Sequence, residues 1–476
     1  MSGDIFETAG GGPGLNFGER EAEALVKALA SGESTSIPVS ITAGDGFALK
    51  LEDLQKTLVN VSFTEEEFQF FRRITKEGAQ QTVTQYSRVV SHGDDWGSGV
   101  IAEDETPEDG SSAFERVAEL IRYFGVKGGV TLPMAMSQTI EGEAMGIETS
   151  ERTLDILRKV EKAMWYGDNT LDSKQMNGLR ALMLAKTSSD LIIDLRGRLL
   201  NREDITGAVA KCGSEPFFGR PNEAHMNLEV LEGFMRSLYP KERIGLPAPN
   251  AGGELGLNVE RLRTSRGVVN LVPSVFINDQ LPSAPTVAVG TASKRPATPT
   301  ITTGATRFAA PQAGSKWTVD DAGDYLWSVA AANRYGRSLA VNANVGGLAL
   351  AVVAGDRVDI VVSGGVGPDP MWYEFYRTQK GGTTAYLVRR IPAVAAGGAT
   401  TYVDKNEYLP KCSSVFLIEN RPQAIAIRQL GPMMRILLAV TGPVFNFMLL
   451  LFMVLLLKAP NKHVLFLNAG HPTLSS

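Results

Sequence analysis

Residues 436–457 form a run of 22 in which only Thr441 and Asn446 are clearly polar, with Arg435 and Lys458 as flanks. A helix of that length and hydropathy would be a candidate membrane span. Thr441-Gly442-Pro443 interrupts the run six residues in, and the 14 residues left at 444–457 are too few to cross a hydrocarbon core of about 30 Å as a helix. As one strand they would reach about 46 Å at about 3.3 Å per residue. The expectation is therefore two shorter strands, or a strand and a turn, buried on both faces of a sheet where alternation is not needed. Asn446 then requires a hydrogen-bonding partner.

The rest of the chain must supply that core. At about 100 to 200 residues per domain, 476 residues make two to four domains. A composition 43% hydrophobic and 21% charged is that of a globular protein. Cys212 and Cys412 cannot form a disulfide framework, and the absence of a CxxC pair or Cys/His cluster argues against structural zinc. Met1-Ser2-Gly3-Asp4-Ile5-Phe6 has neither a basic nor an apolar signal region, so a reducing cytoplasm is the expected setting.

The net charge of −5 argues against general nucleic-acid binding. Residues 1–110 carry 20 acidic and 8 basic side chains, a net −12, which leaves +7 on the remainder. Either this is an acidic solvated flap, or an acidic arm lies on the more basic surface of a neighbouring copy.

Residues 1–18 are Gly-rich, and 19–30 and 51–58 read as short helices. Thr64-Glu65-Glu66-Glu67 reads as a capping-box start for a helix running to about Glu77. The β-prone runs 81–91 and 114–138 flank a polar, acidic stretch, the pattern of an extended hairpin with little core of its own. A long helix spans 148–167, with Leu154, Leu157, Val160 and Met164 as its apolar stripe and Gly167 as its stop. Further helical patterns cover 188–199 and 222–238, and 267–277 reads as a strand.

From 281 to 410 charge thins out and short alternating runs at 325–329, 357–362, 371–378 and 384–389 read as a β-sandwich. Residues 413–419 and 423–428 read as two more strands.

No motif for chemistry is found. GxSxG, HExxH, Walker A and kinase signatures are absent, and the Gly-rich stretch 12–18 lacks dinucleotide-loop spacing. His92, His225, His463 and His471 lie far apart in sequence and read as surface or packing residues. Asp94, Asp95, Glu103, Asp104, Glu105, Glu108 and Asp109 miss the EF-hand pattern and read as a solvated tip. Cys212 reads as structural. No catalytic, cofactor-binding or metal-binding residue is expected, and no cofactor.

Two resemblances follow. Trp372-Tyr373-Glu374-Phe375-Tyr376-Arg377-Thr378, Ala385-Tyr386-Leu387-Val388 and Thr400-Thr401-Tyr402-Val403-Asp404 resemble strands of a fibronectin type III or immunoglobulin-like domain. The order of elements outside that segment resembles the major capsid protein of tailed bacteriophages, the Hong Kong 97-type fold. The residues that carry it are Tyr123-Phe124-Gly125-Val126-Lys127-Gly128-Gly129-Val130-Thr131, Glu161-Lys162-Ala163-Met164-Trp165-Tyr166-Gly167-Asp168, Asn177-Gly178-Leu179 and Leu457-Lys458-Ala459-Pro460-Asn461-Lys462-His463.

The resemblance implies an α+β capsid fold with an N-terminal arm at 1–78, an extended hairpin loop and peripheral strand at 79–145, and a spine helix with axial and peripheral domains at 146–280. An immunoglobulin-like insertion at 281–410 and closing strands at 411–476 complete it. It also implies a non-enzymatic shell protein forming hexamers and pentamers, with scaffolding, portal and decoration proteins as partners and packaged DNA only nearby. Such a protein is located in the virion, is assembled in the host cytoplasm and crosses no membrane. The alternatives are a membrane-anchored surface protein with an immunoglobulin-like domain and, third, a carbohydrate-processing enzyme with an accessory β-sandwich.

Overall fold

The computed structural model describes residues 64–91, 102–104, 106, 112–137, 143–238, 259–394, 398–440 and 442–472. The chain divides into two compact units, 1–59 with 139–141 and 60–138 with 142–476, and every described residue is in the second. The helices expected at 19–30 and 51–58, and most of the acidic tip, lie outside the described residues. The fold is mixed α and β, with several separate sheets.

The apolar run organises the first sheet. Residues 444–457 form one unbroken strand, Val444–Leu457, where two shorter elements were expected. Gly442-Pro443 is the turn before it, and the chain leading in lies alongside as Ile425–Gln429 and Met434–Leu437. The other edge pairs antiparallel with Arg122–Thr131 over ten residues, from Val444↔Thr131 to Met453↔Arg122. With one edge laddered from Val444 to Met453 and the other at Phe447 to Leu450 and Met453 to Leu457, most of the strand's backbone groups find partners, which is what allows it such length.

The expectation of burial on both faces holds for only part of the strand. Phe447, Leu449, Leu451 and Met453 are buried and alternate with half-buried neighbours, whereas Met453 to Leu457 are buried without alternation. The inner face packs on the long helix Ala144–Tyr166 through Ile156, Val160 and Met164. The outer face near the end of the strand is covered by a second small core of Ile121, Val454 and Leu456 with Tyr86 packed against it. Asn446 is paired through its backbone, its carbonyl accepting from Leu438 N at 2.9 Å. Among the described residues no helix is long and apolar enough to cross a membrane.

The long helix begins one turn earlier than its periodicity indicates and ends at Tyr166. Gly167 follows, but not with positive φ: it has φ −56°, and a Cβ there would meet Met176 O at 2.4 Å and Ala163 O at 2.6 Å. Close backbone approach, not left-handed geometry, demands the glycine.

A second, six-stranded sheet runs Ile192–Asp194, Val464–Gly470, Cys412–Ile418, Glu223–Met226, Gly267–Pro273 and Arg261–Thr264. Helices Arg202–Gly213 and Leu228–Leu238 cover one face. The two sheets correct three helical readings. Residues 188–199 form a 3-10 turn and a strand paired with Leu465 to Leu467, then turn at Arg196 and Gly197, both with positive φ. In 222–238 the first half is the strand Glu223–Met226, and only Leu228–Leu238 is helical. The helix from Thr64 stops at Arg73, Lys76–Gly78 joins the first sheet beside Ile425–Gln429, and Thr64 makes no side-chain cap. In each case a ladder to a distant strand overrides local propensity.

Between the second sheet's strands Gly267–Pro273 and Cys412–Ile418, the chain forms a small two-stranded sheet, Gly323–Tyr325 with Leu350–Val352, and two larger sheets that share a core. One contains Ala385–Pro392, Trp372–Thr378 and Trp327–Asn333, and the other Thr300–Phe308, Arg357–Ser363 and Thr400–Asp404. Trp327, Tyr373, Phe375, Ile360 and Tyr402 fill the space between them, with the Phe375 and Tyr402 rings 4.3 Å apart. Both ends of the segment meet: Lys411 N donates to Gln280 O at 3.1 Å.

Candidate assembly surfaces

The surface that stands out is the hairpin. Val83–Ser91 pairs with Ala113–Leu120 in a sheet of only two strands. Side chains on both faces are largely open: Phe114 is 72% exposed and Val90 62%. An isolated two-stranded ribbon is marginal in water, and a row of exposed apolar side chains beside unpaired strand edges is suited to being covered by another chain. The base is fixed: Tyr86 Oη donates to Leu457 O at 3.1 Å and Lys186 Nζ lies 2.7 Å from Glu119. Arg88 holds Glu115 across the strands at 2.6 Å. Glu103 and Asp104 are exposed, while Asp94, Asp95, Glu105, Glu108 and Asp109 lie outside the described residues.

The histidines and cysteines are placed by packing. His225 is fully buried beside Trp165, with Nε2 3.0 Å from Glu223, and burial lowers its pKa. His463 Nδ1 accepts from Glu419 N at 3.1 Å, and burial pushes its pKa down to about 3. His471 lies between Ser413 Oγ at 2.9 Å and Glu229 at 2.7 Å, whereas His92 is outside the described residues. Cys212 and Cys412 are buried, which pushes each thiol up to about 12 and leaves it unreactive. Among the described residues no group of three or more His, Cys, Asp or Glu side chains could hold a metal ion.

Several buried charged groups escaped the sequence reading. Glu161, on the inner face of the long helix, accepts from Phe70 N and Phe71 N, each at 3.0 Å. Burial raises its pKa to about 7 against the pull of those two donors. Arg377 donates to Asp404 Oδ2 at 2.7 Å, and Trp327 Nε1 donates to the same oxygen at 2.9 Å. Two clamps tie the paired-sheet segment to the rest: Arg334 to Asp172 at 2.6 Å, and Arg196 to Asp321 at 2.6 Å. Burial, the largest single influence, raises the Asp172 pKa, but the hydrogen bonds from Arg334 and Lys174 N and the charges of both residues together outweigh it, and the net shift is downward. These groups hold elements in place; none sits beside a nucleophile. Asp172, Glu161 and Arg377 have no sequence signal, because only the fold decides which charges are buried.

No protein-family model matches the chain. It is 26% identical over 460 residues to the major capsid protein of Staphylococcus phage S25-3, covering 94% of this chain and 95% of that one. The major capsid protein of Staphylococcus phage K matches with the same identity and coverage. The putative major capsid protein of Enterococcus phage phiEF24C is 23% identical over 461 residues, 92% of this chain and 93% of that one.

Over nearly its whole length the chain is thus similar to phage major capsid proteins. Solved structures that align with it include the capsid of a native GTA particle, at 8% identity, TM-score 0.47 and coverage of 91% and 100%. Gordonia phage Cozz aligns at 7% identity, TM-score 0.45 and coverage of 91% and 98%. The end-to-end sequence similarity carries the functional reading, the structural role of a major capsid protein.

Proposed function

We propose that this structural major capsid protein self-assembles into the icosahedral head of a tailed phage, as hexamers and pentamers closing around the packaged genome. The observation that carries the reading is similarity spanning 94% of the chain and 95% of a phage major capsid protein. The open hairpin supports it, since a lattice of one repeated chain is held by extended elements reaching over neighbours. In this reading the fold is of the Hong Kong 97 type. The arm is 1–78, the extended loop and its strand 79–145, the spine helix with axial and peripheral parts 146–280, and the closing strands 411–476.

Residues 281–410 are an immunoglobulin-like or fibronectin type III insertion. The two sheets around Trp327 and the hydrogen bond between Lys411 and Gln280 support that division. Scaffolding, portal and decoration proteins are the partners, the host cytoplasm is where assembly occurs, and the virion is the final location. The test is negative-stain microscopy of the purified chain, expressed alone and together with the other head proteins of its phage. Hexamers, pentamers or shells are expected; a monomer under every condition refutes the proposal.

A further inference from the structure

We propose that the cavity between the end of the long helix and the strand Ala385–Pro392 is a binding site for a small oxyanion, a phosphate or a carboxylate. The cavity holds about 280 Å³. Tyr166, Asp168 and Arg180 line one wall, and Arg389, Arg390 and Tyr408 line the other.

Arg180 makes the case. Its guanidinium carbon lies 4.9 Å from the Tyr408 ring centre, and its Nε and Nη2 are enclosed without a hydrogen-bond partner. The carboxylate nearest to it, Asp279, is 3.5 Å from Nε. That carboxylate is already committed, accepting from Ser414 Oγ at 2.7 Å, Ser414 N at 3.1 Å and Tyr166 Oη at 3.4 Å. A guanidinium carries five donors, and this one, half-buried with two of its nitrogens enclosed and unpaired, is incompletely satisfied. A two-oxygen anion is the acceptor its geometry fits.

The far wall adds charge of the same sign. Arg389 makes a solvent-exposed pair with Glu407 at 3.1 Å and lies 5.6 Å from the Tyr408 ring centre, and Arg390 pairs with Glu374 at 2.9 Å. Lys162, one helical turn before Tyr166, has a pKa lowered by burial and then by the nearby positive charges of Arg158 and Arg390. Cations from two separate elements therefore crowd one opening, with Asp168 and Asp279 as the acidic side chains lining the cavity. Such a cleft concentrates anions.

The oxyanion has two sources, free phosphate or a carboxylate from the acidic stretch 92–111 of a second copy. Both are tested on the full-length, unassembled protein by calorimetric titration at fixed ionic strength, one arm with inorganic phosphate and one with a synthetic peptide of residues 92–111. Saturable phosphate binding that weakens about tenfold or more in Arg389→Gln supports the site with a free ligand. Peptide binding that phosphate displaces and Arg389→Gln weakens supports it with a carboxylate from a neighbour. Arg180→Gln, provided its circular dichroism matches the wild type, abolishes either. Absence of binding in both arms, or binding unchanged in Arg389→Gln, overturns the proposal.

Discussion

Truncating successive leucines of the strand Val444–Leu457 to alanine tests the two-faced packing of the first sheet. Leu451 is 1% exposed and faces the long helix, whereas Leu450 beside it is half-buried on the other face. A Leu→Ala change at an enclosed site costs about 2–5 kcal/mol, the transfer of the lost carbons plus the cavity left behind. With Ile156, Val160 and Met164 packed in the same core, Leu451→Ala is expected to cost about 3 kcal/mol or more. Leu450→Ala removes carbons that are already partly wet and leaves an open dent, so about 1 kcal/mol is expected.

Nearer the end of the strand the contrast must vanish. Leu455 belongs to the core under the helix and Leu456 to the small core with Ile121, and both are buried. Leu455→Ala and Leu456→Ala should therefore cost about the same, near 3 kcal/mol each. Hydrogen exchange of a peptide covering residues 447–457, read by mass spectrometry on unassembled protein, reports the local opening free energy without needing one global transition. Exchange should quicken about a hundredfold for the three enclosed positions and less than about tenfold for Leu450. Equal effects at 450 and 451 would refute the alternation, and a small effect at 456 would refute the second core.

Other outcomes follow from the buried charges, the hairpin and the paired sheets. Arg377→Met should destabilise by about 3–5 kcal/mol, because Asp404 stays buried without its cation, and the double variant with Asp404→Asn should recover part of that loss in a denaturant series. Glu161 has a folded pKa of about 7, above its ordinary 4.5, so the folded state binds the extra proton between those values and stability should fall as pH rises from about 4.5 to 7. Glu161→Ala should flatten that slope in pH-dependent melting, and an unchanged slope would assign it to other groups. Reversing Glu103 and Asp104 to lysine should weaken assembly and its salt dependence, measured by light scattering, while leaving circular dichroism unchanged. Replacing 281–410 by a short Gly/Ser bridge, together with Asp172→Asn to remove the charge that Arg334 neutralises, should leave a folded, soluble remainder, since Lys411 and Gln280 already touch.

What the sequence made legible depended on where each residue's partner lies. The long helix and the paired-sheet strands could be read because their signal is internal: an apolar stripe at helical spacing, or alternation such as Val358, Ile360 and Val362, all of which are buried. Residues 188–199 have a helical pattern too, yet their hydrogen bonds go to Leu465 and its neighbours more than 270 residues away. The apolar run shows the same principle from the other side. Its 14-residue strand looked too long because an unsupported strand of that length is rare, but the supporting edge is Arg122–Thr131, more than 300 residues upstream. Gly128 and Gly129 in that partner belong to the same solution. A Cβ at Gly128 would meet the Phe447 ring at 2.5 Å, and one at Gly129 would meet Asn446 Oδ1 at 2.6 Å. The glycines thus make room for the large side chains of the opposing strand, a complementarity that neither segment displays alone. The assembly surface follows the same rule one level up: the residues that would cover Phe114 and Val90 belong to no element among the described residues, so a single chain shows only that they are open.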